Sequence, residues 1–278
     1  MRSRSFKNSA GFSLVEMVVA TAILGMLVAA AMSLYQNQHK QWLIQEQIAD
    51  MQQNVRVSMD EVAWNMRMAG CGRFPPQLDP IKSVDANPDS LYLRENVNDC
   101  GMCIGKDVLS NTIHTRDDVG CFKPGTRAYI WDDAGQSEWF TVDRVDTNFG
   151  QGWYEVHATL NLVNIYDLAD NPKLIVITEH KYYIDQSTDA AHPALMRVIN
   201  GLPAQIFAEN VDDFQVVYLM KDGSTSSAPG GLNDVKAIQI ELQARTERQD
   251  RDWIDEEHGD GYRRRTLVSR IDVRNLGI

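Results

Sequence analysis

The sequence lacks the features that mark most enzymes and nucleic-acid-binding proteins. Its formal net charge is −11, so it has no excess of the basic residues that displace counterions from phosphates. It contains no glycine-rich phosphate loop and no Rossmann fingerprint. We therefore predict no catalytic activity, no cofactor and no nucleic-acid partner. The six histidines form no pair at metal-ligand spacing: His39, His114, His157, His180, His192 and His258.

Proline is absent from residues 12–69, where Gly25 is the one residue that disfavours a helix. Residues 12–35 are apolar apart from Glu16 and would form about 36 Å of helix, enough to cross the hydrocarbon core of a membrane. Residues 1–11 are basic, and acidic residues dominate after the apolar segment. This asymmetry predicts a cytoplasmic amino terminus and an external remainder.

Two other membrane-targeting interpretations compete with this one. An ordinary secretory signal is cut after small residues, which Ala29, Ala30 and Ala31 would supply. A plain signal anchor needs no special residues before its apolar segment. Neither interpretation accounts for the motif GFSLVE at residues 11–16.

That motif resembles the cleavage and methylation site of type IV prepilins. The resemblance implies that prepilin peptidase removes the leader by cutting after Gly11 and that the new terminal residue, Phe12, is N-methylated. Residues 12–35 would then serve first as a bacterial inner-membrane anchor and later as the core of a pilus or periplasmic filament. The implied partners are other pilins and the inner-membrane assembly platform. Glu16 would pair with the Phe12 amine of a neighbouring subunit, because buried charges need partners.

The helical pattern continues over residues 36–70 as an amphipathic stalk. The residues Gly70, Gly72, Pro75 and Pro76 predict where this helix ends. Its apolar stripe is expected to pack against a sheet. The stripe consists of apolar residues spaced three or four apart: Ile44, Ile48, Met51, Val55, Met59, Val62, Met66 and Ala69.

Residues 51–56 (MQQNVR) and 65–70 (NMRMAG) are similar to the stalk of PilW-type minor pilins. Many major pilins have a proline where this chain has Ser33, and that difference also favours a low-abundance subunit. The resemblance implies a minor pilin that primes pilus assembly, with a tip adhesin as a further partner and adhesion or twitching motility as outputs. The alternatives are a minor pseudopilin of a type II secretion system and a membrane-anchored periplasmic binding or adhesion module.

Residues 71–278 have a β-rich pattern and constitute the predicted periplasmic or extracellular head. A long helix followed by antiparallel strands is an α+β arrangement, here the type IV pilin-like fold. Candidate strands are bounded by Gly, Asn, Asp and Pro: residues 91–93, 128–131, 138–142, 153–160, 174–184, 214–220, 235–245 and 267–273.

The four cysteines are clustered, and an even, clustered set predicts two disulfides in an oxidising compartment. The pairing among Cys71, Cys100, Cys103 and Cys121 is open. Two alternatives use the same thiols. A redox pair would use the C-x-x-C motif of Cys100 and Cys103, and a zinc ion would bind all four thiolates.

An acidic run surrounds Trp253 near the end of the chain. Clustered carboxylates suit calcium, so Asp250, Asp252 and Asp255 are the candidate ligands. Their spacing does not fit the twelve-residue calcium loop, and nearby arginines offset their charge. A solvated loop is therefore the favoured interpretation, and no metal is predicted.

Overall fold

The structure, a computed structural model, describes residues 13–117, 119–148 and 152–272. One long helix is followed by antiparallel β-sheets, which confirms the predicted α+β, type IV pilin-like architecture. The chain divides into two compact units, Met1–Ala49 and Asp50–Ile278. The helix contributes residues to both units.

The helix α1 comprises Leu14–Met68, 55 residues without a proline. Immediately after it, Gly70 and Gly72 have φ angles of 77° and 76°, the left-handed conformation that often ends helices. At Gly72 a Cβ atom would lie 2.1 Å from the carbonyl oxygen of Asn96, so only glycine fits. The prediction that these glycines end the helix is confirmed.

The β-strands follow α1 without a second α-helix among the described residues. A single 3-10 turn, Leu168–Asp170, precedes the eighth strand. The strands are β1 (Ile81–Val84), β2 (Ser90–Glu95), β3 (Gly101–Cys103), β4 (Thr112–Thr115), β5 (Arg127–Trp131), β6 (Ser137–Asn148), β7 (Trp153–Ala158), β8 (Lys173–Val176), β9 (Thr178–Asp185), β10 (Ala194–Ile199), β11 (Gln205–Glu209), β12 (Val211–Met220), β13 (Thr225–Ser226), β14 (Val235–Arg245) and β15 (Arg264–Asp272).

These strands form three sheets in the described part of the chain. The five-stranded sheet has the order β1-β2-β9-β10-β11, and the four-stranded sheet has the order β13-β12-β14-β15. The six-stranded sheet has the order β3-β8-β5-β6-β7-β4. Neighbouring strands in all three sheets are antiparallel, as the sequence predicted.

The carboxyl-terminal part of α1 packs against the five-stranded sheet. Asn65 donates a buried hydrogen bond of 2.6 Å from Nδ2 to the hydroxyl of Tyr182 on β9. One turn earlier, Glu61 forms an ion pair with Arg197 of β10. The predicted apolar stripe is buried from its third member onward: Met51, Val55, Met59, Val62, Met66 and Ala69.

The chain passes from the six-stranded sheet to the five-stranded sheet at Ile177. The sequence predicted one strand over residues 174–184, and that prediction was wrong. Residues 173–176 pair within the six-stranded sheet as β8, whereas β9 begins at Thr178 in the five-stranded sheet. Ile177 is fully buried at the crossing, and its N–H donates to the carbonyl of Arg127 at 3.2 Å.

Asp89 connects the four-stranded sheet to the loop before β2. Its N–H donates to the carbonyl of Phe214 at 2.8 Å, and its Oδ2 accepts the N–H of Val216 at 2.8 Å. The hydroxyl of Tyr218, farther along β12, accepts the N–H of Ser83 at 3.0 Å. Three consecutive inward-facing positions of β12 therefore hold the first hairpin of the five-stranded sheet.

Candidate functional site at the amino-terminal helix

The first turn of α1 is stabilised by a reciprocal cap between Ser13 and Glu16. The Ser13 hydroxyl oxygen accepts the N–H of Val15 at 3.4 Å, and the Glu16 carboxylate accepts the N–H of Ser13 at 3.0 Å. This S-x-x-E arrangement is a capping box, which satisfies N–H groups that have no partner within the helix. The cap holds the Glu16 carboxylate beside the start of the helix. Sequence analysis assigned Glu16 to subunit docking and missed this second role, although the motif was visible.

The helix surface that follows Glu16 is apolar on every side and exposed. Met26 is 74% exposed and Leu34 is 63% exposed. In the described residues α1 is the one helix long and apolar enough to cross a membrane, and none of its most apolar window is buried. A helix that is apolar all round is stable in lipid or among other helices, but not in water. Length and composition therefore fit a membrane anchor.

The end of the apolar segment is marked by a row of rings on one face of α1. Tyr35 stacks on His39, and His39 stacks on Trp42, with centroids 6.0 Å apart in both pairs. Tyrosine and tryptophan are enriched where a membrane-spanning segment meets water, because their rings are apolar and their tips are polar. The row therefore lies where residues 12–35 were predicted to leave the hydrocarbon core.

Gly11 and Phe12, the predicted cleavage site, lie outside the described residues. Comparison with known families bears on them directly, because residues 6–32 match the family described as the prokaryotic N-terminal methylation motif. The amino terminus is therefore similar to that of prepilins. The match supports a type IV pilin or pseudopilin that is processed by prepilin peptidase and assembles with other pilins. A comparison with curated proteins finds no match.

The cysteines form one disulfide, between Cys100 and Cys121, whose Cα atoms are 6.1 Å apart. The second predicted disulfide is absent from the structure, since Cys71 and Cys103 are free thiols. The two thiols lie in different parts of the fold. Cys71 follows the end of α1, and its carbonyl accepts the N–H of Asn96. Cys103 is the exposed last residue of β3.

The disulfide also overturns the two alternative interpretations of the cysteines. Cys100 cannot form a redox pair with Cys103 while it is bonded to Cys121, and a four-thiolate zinc site would need both sulfurs of the bridge. Burial raises the pKa of the Cys71 thiol, so its reactive thiolate is disfavoured at neutral pH. Cys100 and Cys121 therefore have a structural role, as one bridge in the region of the six-stranded sheet.

Two of the three candidate calcium ligands face arginines or backbone N–H groups. Asp250 binds Arg263 at 2.8 Å, and its Oδ1 accepts the N–H of Asp252 at 3.1 Å. Asp255 lies 3.4 Å from Arg264. Among the described residues, acids and histidines converge closely enough for a metal ion only in another part of the head. The acidic run therefore contains ion pairs with Arg263 and Arg264.

Arg264 binds acids of that loop and lowers the pKa of one of them, Asp260. Its guanidinium binds Asp212 at 2.8 Å and forms two hydrogen bonds with Asp260, of 2.7 and 2.8 Å. Hydrogen bonding from Arg264 lowers the pKa of Asp260 to about 2. Arg264 of strand β15 thus neutralises part of the negative charge of the loop.

The statement that no histidines form a metal-spaced pair holds along the chain but not in space. Antiparallel pairing places His114 of β4 opposite Glu155 of β7, with His157 two residues farther along. Only the alternation of polar and apolar residues in each strand could have signalled this shared face. Sequence analysis missed it because the pairing partners of these strands were unknown.

Proposed function

We propose that this chain is a minor pilin of the PilW type, which primes the assembly of a type IV pilus and remains part of it. The observation that carries the proposal is the exposed apolar first half of α1, whose one acid is Glu16, in a chain with a prepilin-type motif at its amino terminus. The stalk resemblance at residues 51–56 and 65–70 and the large β-rich head support a minor pilin over a type II secretion pseudopilin. In this proposal residues 1–11 are the leader, 12–35 the anchor, 36–70 the stalk and 71–278 the head.

Cleavage after Gly11 would create a positive amine on Phe12, next to the carboxylate of Glu16. The cap formed with Ser13 holds this carboxylate at the helix start, where a neighbouring subunit's amine would meet it. In the interior of a filament, an unpaired charge is costly, so subunits would dock in the register that pairs every amine with a carboxylate. The chain would leave the inner membrane as its apolar surface exchanges lipid for other pilin helices.

The first test is the mature amino terminus, read by intact-mass analysis and amino-terminal sequencing. We expect the mature chain to begin at N-methylated Phe12 and Gly11→Val to retain its leader, because only glycine leaves the cleaved bond unobstructed. The matched control is Gly25→Ala, since a Cβ atom at Gly25 meets nothing within 4 Å. A mature chain that begins after Ala31 would refute the proposal and indicate an ordinary secretory signal.

The second test separates the two roles of Glu16. Glutamine serves as well as glutamate in a capping box but has no charge, so Glu16→Gln keeps the helix cap and removes the ion pair. We expect the variant to be processed normally yet to be absent from sheared pili. Glu46→Gln, the same change at an exposed position of the same helix, is the control and should be incorporated normally. Incorporation of Glu16→Gln at the normal level would contradict the docking role.

The same preparations distinguish the alternatives. A pseudopilin would be required for type II secretion and absent from sheared pili, whereas a membrane-anchored binding module would appear in neither assay. A structural protein needs no catalytic centre, so we propose that the chain is not an enzyme. Prepilin peptidase, the inner-membrane assembly platform and a tip adhesin are the proposed partners.

A further inference from the structure

Three adjacent strands of the six-stranded sheet, β6, β7 and β4, have one apolar face and one polar face. Ile113 and Val156 lie in the core on the apolar face and are fully buried. The residues that alternate with them occupy the opposite face, because successive side chains in a strand point to opposite sides. The strand pairing aligns these polar residues in three rows: Arg144 and Asp146, Glu155 and His157, and Thr112 and His114.

Three side chains converge at the centre of this polar face. The Nε2 atom of His157 lies 3.1 Å from Oδ2 of Asp146 and 3.6 Å from Oε2 of Glu155. The ligand atoms of the three residues all lie within 4.8 Å of one another. The other carboxylate oxygen of Glu155 is 3.5 Å from Nε2 of His114. Glu155 therefore lies between two imidazoles.

The other ring nitrogen of His157 contacts Thr112. Nδ1 lies 3.1 Å from the hydroxyl oxygen of Thr112, which also contacts Oδ1 of Asn111 at 3.4 Å. In the tautomer with the proton on Nδ1, the Thr112 oxygen accepts that proton, and Nε2 presents its lone pair on the side away from Thr112.

That nitrogen is the unusual atom of the cluster. The His157 side chain is only 8% exposed, and Nε2 is buried without a hydrogen-bond partner in the described structure. Its 3.1 Å contact with Asp146 is short in distance but lacks the alignment of a hydrogen bond. In that tautomer a buried lone pair faces two carboxylates, which is unfavourable because all three groups are acceptors. A cation bound between them would satisfy all three.

The spacing of these atoms suits a small divalent metal ion. Bonds of about 2.0–2.1 Å to nitrogen and oxygen place the ligands of a tetrahedral zinc ion about 3.3 Å apart. The observed separations of 3.1 and 3.6 Å bracket that value. The hydrogen bond from Nδ1 to Thr112 is also the usual support of a metal-bound imidazole, since it fixes the orientation of the ring.

We propose that Asp146, Glu155 and His157 bind a divalent transition metal such as zinc, with His114 beside Glu155. The site would link β6 and β7 of the six-stranded sheet. Arg144 is the competing cation, because its Nε donates to Oδ2 of Asp146 at 2.8 Å. Its side chain is 59% exposed, so it is free to turn into solvent when a metal binds.

The test uses the full chain in detergent micelles with zinc as the probe. Free thiols also bind zinc, so Cys71→Ser and Cys103→Ser are introduced together as the background. We expect one zinc ion per chain by elemental analysis after dialysis, and a dissociation constant measurable by competition with a chromogenic chelator. Cobalt in place of zinc should give the visible absorption of a four-coordinate site. Absence of stoichiometric zinc binding would overturn the proposal.

Four variants show whether the bound zinc lies at this cluster. Glu155→Gln and Asp146→Asn should each weaken binding by more than 10-fold, and Thr112→Val, which removes only the support of His157, should weaken it roughly 10–100-fold. Arg144→Gln should strengthen binding because it removes the competing cation. Circular dichroism verifies that each variant is folded.

The matched control is His192→Gln, which alters an exposed histidine that contacts Asp189 at 2.9 Å. It should leave zinc binding unchanged. Zinc binding that survives Glu155→Gln and Asp146→Asn, or that is lost with His192→Gln, would overturn the assignment.

Discussion

Glu179 provides the most direct test of how the head is held together. Its carboxylate, 9% exposed, accepts from Nε of Arg94 at 2.7 Å and from Nη1 of Arg127 at 2.6 Å. Arg94 belongs to the five-stranded sheet and Arg127 to the six-stranded sheet. The carbonyl of Arg94 also accepts the N–H of Gly70 at the end of α1. One buried acid thus neutralises two cations where the helix and two sheets meet.

We expect Glu179→Gln to lower the free energy of unfolding by about 3 kcal/mol. Removing one partner from a buried ion pair typically costs 3–5 kcal/mol, because the remaining charge stays buried without a counter-ion. The two arginine side chains are 11% and 27% exposed, and the more exposed Arg127 recovers some hydration, which favours the lower end of that range. Glutamine has nearly the same volume as glutamate, so lost packing contributes little.

The assay is urea denaturation of the full chain in detergent, followed by tryptophan fluorescence and circular dichroism. Trp139 reports on the site, since the Arg127 guanidinium lies 4.4 Å from its ring centroid. The control is Glu247→Gln, which removes an exposed carboxylate 3.8 Å from Arg248 and should change stability by less than about 0.5 kcal/mol. A loss below about 1 kcal/mol in Glu179→Gln would refute the reasoning, because it would mean that water screens this pair like a surface one.

Three further predictions concern the head. Cys100→Ser, measured by urea denaturation, should cost about 3 kcal/mol, because the disulfide closes a loop with a sequence separation of 21. Tyr182→Phe should cost about 1–3 kcal/mol in the same assay, since the buried Asn65 amide loses its acceptor. Asp260 has its pKa lowered to about 2 in the folded state by Arg264, so its contribution is present above its unfolded pKa and is lost as the pH falls toward 2. Asp260→Asn should flatten the acid limb of a stability-versus-pH curve over that range.

Each of these predictions has an outcome that contradicts it. Equal stability of wild type and Cys100→Ser under oxidising conditions would show that the bridge does not constrain the chain. A Tyr182→Phe variant as stable as wild type would mean that the Asn65 amide finds another acceptor. If Arg264→Met left the acid limb unchanged, the low pKa of Asp260 would have another cause.

The strand pattern shows how far local sequence predicts the sheets. Long alternating runs such as residues 235–245 matched a strand to the residue, because their pattern is clear over many positions. The strands β3 and β13 were missed. They have three and two residues, which are too few to show an alternating polar and apolar pattern. The continuous run at 174–184 concealed the change of sheet at Ile177, since no Gly, Pro, Asn or Asp separates the two strands.

The sequence by itself determined the long helix and its end near Gly70, along with the processing motif at residues 11–16. These are local properties: an uninterrupted apolar segment, glycine in a left-handed conformation and a short motif are complete within neighbouring residues. Only the tertiary structure decided which cysteines pair, and only strand pairing brought Asp146 and His157 together. Residues far apart in the chain meet according to which strands become neighbours, and that choice depends on burial across the whole head.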